Sequence, residues 1–227
     1  MISSLIFLMI RRFRRLHPLK FQLFVSKAIF VAKILLLILI SCTIVMAARA
    51  QEKNLAYTVI RNGNEIGCIT IKEIKNGTRV TYRLESEIKT TFIFTFKVSA
   101  TEEAVYENGV LLNSFIYRKV NGSEKANKSI RYSSNNYIVS NKGSEKWLNN
   151  YPIRYNMVCL YTQEPVYISQ IFSDNFQQFI PIKKTGRHQY KIIFPDGNSN
   201  EYFYQKGICI RIKMNSSLYN AEIEKKG

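Results

Sequence analysis

The sequence predicts an all-β fold: a single curved antiparallel meander, half-barrel or clam-like in outline, with one short helix, preceded by an N-terminal signal helix. Three observations lead there. Turn signals recur along the chain after residue 50: Asn62-Gly63, Asn76-Gly77, Asn108-Gly109, Asn121-Gly122, Asn135-Asn136, Asp196-Gly197 and Lys206-Gly207. Asn-Gly pairs supply the positive φ angles that tight hairpins need. The runs between them are rich in Ile, Val, Thr, Tyr and Phe and alternate in polarity. An apolar run with a basic head stands before all of this.

The alternation is clearest in two places. Val80, Tyr82, Leu84, Ser86 and Ile88 share one strand face, with Thr81, Arg83, Glu85 and Glu87 on the other. Ile208, Ile210, Ile212 and Met214 likewise oppose Cys209, Arg211 and Lys213. A sheet with one face in the core and one in water reads this way. About ten such segments are expected from the spacing. The run Tyr155–Tyr161 spaces its apolar residues as a helix of about two turns does, between Pro152 and Pro165. No fixed repeat period divides the hairpins, which argues against a solenoid or propeller.

The strand Thr91–Val98 places Phe92, Phe94, Phe96 and Val98 on one face. Ile93 is also apolar, so a central strand covered on both sides is expected. Three phenylalanines on one face serve as plain core or as the wall of an apolar cleft. They are the ligand-binding candidates.

Residues 1–50 read as a basic head and signal peptide. They hold eight basic residues and no acid. Ile34 to Ala48 is apolar except for Ser41, Cys42 and Thr43. Such a head, apolar run and small-residue cut site make an export signal. Two processing sites compete. Leu39-Ile40-Ser41-Cys42 resembles a lipobox that would lipidate Cys42, while Ala48-Arg49-Ala50 is a small-x-small triplet. A lipobox cysteine normally ends the apolar region, yet apolar residues continue to Ala48. Cleavage after Ala50 is therefore favoured, and Ala48 and Ala50 are the processing residues. An uncleaved anchor stays open, since Phe21 to Ala48 is long enough to span about 30 Å of hydrocarbon. All three outcomes place residues 51–227 outside the cytoplasm, in the periplasm or associated with the outer envelope.

Residues 51–227 are long enough for one β domain with a substantial core. Removing the head leaves 25 basic residues against 16 acids, a net charge of +9. Such a charge serves ordinary solubility, or, outside the cytoplasm, meets anionic lipids or acidic glycans rather than nucleic acid. Cys68, Cys159 and Cys209 remain, an odd number that cannot all pair within the chain. Three buried thiols are expected, with one disulfide plus a free thiol as the alternative.

Chemistry is sparse. The exported part holds one histidine, His188, which excludes a multi-histidine metal site. A cysteine nucleophile would need that histidine as its base, and Cys159 is the candidate outside a clear strand. Glu85 and Glu87 share a strand face but read as a solvated surface. Asp174 and Asp196 read as turn formers. Lys183, Lys184, Arg187 and Lys191 interleave with aromatics, and export argues against a nucleic-acid role for them. No catalytic residue, metal or cofactor is expected.

Several phrases together resemble a family of uncharacterised exported bacterial β proteins, a domain of unknown function. They are Tyr57-Thr58-Val59-Ile60, Glu65-Ile66-Gly67, Ser86-Glu87-Ile88-Lys89 and Phe92-Ile93-Phe94-Thr95-Phe96. Tyr151-Pro152-Ile153, Glu164-Pro165, Ser173–Phe179 and Pro195–Tyr202 continue the likeness over nearly the whole exported part. The family is similar in outline to half-barrels of the periplasmic lipoprotein-carrier class. That resemblance implies a binding protein and carries over no catalytic residue. The expectation is a non-enzymatic envelope protein that holds a lipid or acyl chain in the concave face of its sheet. The alternative is a packed sheet whose partner is another protein. A membrane surface is a further possible partner.

Overall fold

The structure is a computed structural model that describes residues 26–27, 29–36, 50–91, 95–148, 152–216 and 220–227. The chain divides into two compact units, Met1–Arg49 and Ala50–Gly227. In the first, the described residues 26–27 and 29–36 are helical and exposed. No described helix is long and apolar enough to cross a membrane. Cys42 and Ala48 lie outside the described residues.

The second unit is all-β. Its strands are β1 (Gln51–Arg61), β2 (Asn64–Asn76), β3 (Arg79–Thr91), β4 (Thr95–Glu107), β5 (Val110–Val120), β6 (Ser123–Ser133) and β7 (Asn136–Asn141). They continue as β8 (Ser144–Leu148), β9 (Gln170–Ser173), β10 (Gln178–Gly186), β11 (Gln189–Ile193), β12 (Ser199–Gln205), β13 (Ile208–Asn215) and β14 (Asn220–Lys225). All belong to one antiparallel sheet, in the order β8-β7-β6-β5-β4-β3-β2-β1-β14-β13-β12-β11-β10-β9. The first and last strands meet in its middle, with Val59 opposite Ile223. The two edges, β8 and β9, are consecutive in sequence. The connector between them carries a 3-10 helix at Met157–Tyr161.

Hairpin chemistry explains the meander. Asn62-Gly63, Asn108-Gly109 and Asn121-Gly122 each adopt positive φ at both positions, the geometry whose twist matches the flanking strands. Lys142-Gly143 does the same. That pair was not read as a turn, and it separates two short strands, β7 and β8. With β9 and β11 they bring the strand number to fourteen rather than about ten. Strands of four to six residues carry too little periodicity to be read singly.

The core lies on one face of the sheet and around the connector. Leu55, Tyr57, Ile71, Tyr82 and Leu84 enclose it from β1 to β3, and Tyr190, Tyr202, Tyr204 and Ile212 from β11 to β13. Val158, Cys159 and Leu160 of the 3-10 helix fill the space between. Tyrosines suit this position because their rings pack while their hydroxyls reach the connector backbone. Tyr57 Oη donates to Cys209 O at 2.9 Å, and Tyr204 Oη to Leu160 O at 2.8 Å.

Three expectations change. The helix is a tight 3-10 segment of five residues, not two α turns, because Tyr155 and Asn156 are drawn into pairing with Phe172. On β3 the face is as expected, though Val80 and Ile88 are only half-buried near the strand ends while Tyr82 and Leu84 are buried. On β13 the alternation fails. Cys209 and Ile212 are both buried, and Ile210 is 37% exposed. A β-bulge is the reason: Tyr202 faces Ile212 but Tyr204 faces Cys209, so β13 carries an extra residue.

Candidate functional site

The strongest constellation is a polar clasp inside the concave face. It grows from the β9–β10 turn, residues 174–177, within the phrase Ser173–Phe179. Asp174 is buried and accepts hydrogen bonds from Ser114 Oγ on β5 and from Asn156 Nδ2 on the connector, the latter at 2.9 Å. Asn175 Oδ1 accepts from Arg118 Nη2 on β5 at 2.7 Å, and its carbonyl accepts from Lys128 Nζ on β6. Gln177 Nε2 donates to Ser140 O on β7 at 2.9 Å. One turn thus ties the β9 end of the sheet to β5, β6 and β7 near its other end. The space beside it, between Lys128, Ile130, Phe172 and Asp174, is too tight to admit water.

The connector is fixed on the same side. Ile153 N donates to Tyr137 Oη at 3.0 Å, and Tyr137 Oη donates to Leu111 O at 2.9 Å. Leu111 N donates to Ile153 O at 2.8 Å.

Burial sets the electrostatics here. Desolvation raises the Asp174 carboxyl to about 6, against the lowering by its bonds to Ser114 and Asn156. It raises Glu102, half-buried on β4, to about 7, helped by the Asp174 charge and opposed by Arg118. Lys128 is lowered by desolvation and then by the Arg118 charge. Arg118 Nε is shielded from solvent and has no hydrogen-bond partner among the described residues.

Ala104 opposite Ser114, Glu102 opposite Ile116, Ala100 opposite Arg118 and Val98 opposite Val120 mark successive layers along β4 and β5, and the face turns apolar only beyond Arg118. Ile88 of β3 faces Val98, and Thr90 faces Phe96. Alternate residues share a face, so Phe96, Val98, Ala100 and Ala104 line one side, and Ala104 is buried in the core. The 3-10 helix meets this face near Tyr82 and Tyr106, where Gln163 Nε2 donates to Tyr82 Oη and Cys159 Sγ contacts Tyr106 Oη. Ile88 is six residues beyond Tyr82, about 20 Å along the strand. There Ile88, Val98 and Val120 are half-buried and Phe96 is 37% exposed.

Among the other sequence-predicted residues, Phe92 and Phe94 lie outside the described residues; the single strand expected over 91–98 does not form, because Thr91 ends β3 and pairs antiparallel with Thr95, which opens β4. Ala50 is exposed immediately before β1. Asp196 is a turn former as read, accepting from Asn198 N at 3.1 Å. Asp174 does sit in a turn, yet its carboxylate points into the interior. That second role was missed because every partner is at least eighteen residues away.

Nucleophilic chemistry finds little support. Desolvation pushes the Cys159 and Cys209 thiols up to about 12, the wrong direction for a thiolate. His188 lies on the surface, its Nδ1 3.0 Å from the Glu164 carboxylate, far in sequence from either thiol. All three cysteines of this unit are free, but only Cys159 and Cys209 are buried; Cys68 is exposed because it lies on the outer face of β2. Among the described residues no group of acids, histidines and cysteines is arranged to hold a metal ion.

No curated protein matches the chain. Among solved structures it is similar to a beta-barrel-like protein of domain of unknown function DUF1849 from Brucella abortus. The identity is 10%, with a TM-score of 0.47, over 79% of this chain and 96% of that one. A family model described as Domain of unknown function (DUF6134) matches residues 57–226. Its span runs from the buried Tyr57 of β1 to the residue after β14, taking in the whole clasp and the connector, and the chain belongs to that family.

Proposed function

We propose that the chain is an exported, non-enzymatic envelope protein that binds an apolar or amphipathic molecule at the open end of its concave face. One observation carries this reading. The inner face of β3 to β5 continues as an apolar strip of Ile88, Val98, Val120 and Phe96 beyond the part filled by the connector. An apolar strip of this kind, bordered by Thr90 at one end and Arg118 at the other, has the makings of a ligand site. The basic head and apolar run of residues 1–50 support export, and the surplus of basic residues favours an anionic envelope surface.

The tightly filled half of the concave face favours a second reading, in which the partner is another envelope protein. A fluorescent fatty-acid probe separates the two. Binding by the wild type, weakened by Val98→Glu with an unchanged circular-dichroism spectrum, is the expected result. Absence of binding by well-folded protein overturns the amphiphile reading and leaves the protein partner.

A further inference from the structure

We infer that the molecule held on the apolar strip is a single amphiphile with an anionic head, carboxylate or phosphate, and that the head is seated at Arg118. This deepens the amphiphile reading and rests on it.

The strip is not apolar throughout. Its inner end is marked by Arg118, whose cross-strand neighbours on the same face are Ala100 on β4 and Ala126 on β6. Both are small, so no bulky side chain stands directly beside the guanidinium on either strand. Arg118 is half-buried, its Nη2 is committed to the neutral Asn175 side chain, and among the described residues it forms no ion pair. Its guanidinium presents a planar fork that suits a carboxylate or phosphate.

The local charges agree. The groups facing Arg118 are Glu102 from β4, Lys128 from β6, and Asp174 and Asn175 from the β9–β10 turn. Asp174 already accepts from Ser114 and Asn156. Glu102 resists ionisation up to about 7 because of its burial. Two cations therefore face acids that are either occupied or reluctant to carry charge. One layer outward the face becomes Val98 and Val120, and one further layer along β4 brings Phe96. The order along β4 and β5 is thus cation, aliphatic, aromatic, which matches the head and tail of a single amphiphile.

Residues 50–227 form a compact unit that contains the whole core, so that unit is the material for the test. The probes are cis-parinaric acid and its uncharged methyl ester, followed by fluorescence below their aggregation threshold. The wild type is expected to bind the acid about tenfold more tightly than the ester, the scale of one charge-assisted hydrogen bond. Arg118→Gln should remove the preference for the acid, and Arg118→Lys should restore part of it. Equal binding of acid and ester by the wild type overturns the inference and leaves the amphiphile reading standing. So does a preference that survives Arg118→Gln. Binding of neither probe overturns both. If Arg118→Gln does not fold, the wild-type ratio of acid to ester decides alone. Flotation with phosphatidylglycerol vesicles, with no binding of monomeric probe, overturns the inference in favour of attachment to a membrane surface.

Discussion

Asn156 donates to Asp174 across 2.9 Å of buried space, and this bond joins the connector to the turn that clasps β5, β6 and β7. The two segments are otherwise on separate stretches of irregular chain. Through this pair, the plug of the concave face and the clasp over it become one assembly.

Removing the Asp174 carboxylate should therefore loosen both. Asp174→Ala leaves Ser114 Oγ and Asn156 Nδ2 without their acceptor in the interior. A loss of about 2–4 kcal/mol is expected, from the cost of orphaned buried polar groups. Urea unfolding measures it. A change below about 0.5 kcal/mol, the range of ordinary surface substitutions, would show that the clasp contributes nothing to stability.

The same groups give stability a pH dependence of known sign. Burial raises Asp174 from 3.8 to about 6 and Glu102 from 4.5 to about 7. Between their unfolded and folded values the folded chain holds protons that the unfolded chain has released. The contribution to stability is thus most favourable at the acid end and falls as pH rises through the folded values. The urea midpoint should be higher near pH 5.5 than near pH 8, and Glu102→Gln should shrink that difference. A difference of opposite sign, unchanged by Glu102→Gln, would contradict the assignment.

Gly67 has a steric rather than a conformational reason to be glycine. A Cβ built there would lie 2.2 Å from Glu87 O and 2.7 Å from Ile88 Cα, both backbone atoms of the paired β3. Backbone in mid-sheet cannot swing aside as a flexible side chain does. Gly67→Ala should destabilise by about 1–3 kcal/mol, the usual cost of overpacking. Gly63→Ala meets nothing within 4 Å but sits at φ +76, so its cost is backbone strain alone. Thermal melts of the two variants, with crystallography of the first, would show a displaced β3 only in Gly67→Ala.

The cysteines should separate by exposure. Cys68 points to the outer surface, whereas Cys159 and Cys209 are buried with thiols raised to about 12. In the unit Ala50–Gly227, a maleimide reagent under native conditions should label one thiol, read by mass spectrometry, and all three of that unit after unfolding in denaturant. Rapid native labelling of Cys159 would show that the connector opens readily.

Legibility in the sequence followed the range of the interactions. Hairpins and the β3 register were readable because an Asn-Gly turn and a two-residue alternation are local properties, and Tyr82 and Leu84 are buried as they predict. The β13 register was not, because its bulge depends on how the neighbouring β12 is paired. Phe96 falls on the expected inner face through its pairing with Thr90. Arg118 gave no signal at all, since a lone arginine in an alternating strand reads as a solvated residue.

By itself, then, the sequence determined the all-β class, the meander and the position of a short helix in the connector, all set by turn chemistry and polarity over a few residues. The tertiary structure alone decided that β1 and β14 meet mid-sheet, that the connector fills the concave side and that Asp174 and Asn175 clasp it there. The clasp contacts alone join residues 18 to 60 positions apart, and the β1–β14 pairing joins residues far more distant. They are chosen by which faces remain to be buried once the sheet curls, and no window of neighbouring residues encodes that choice.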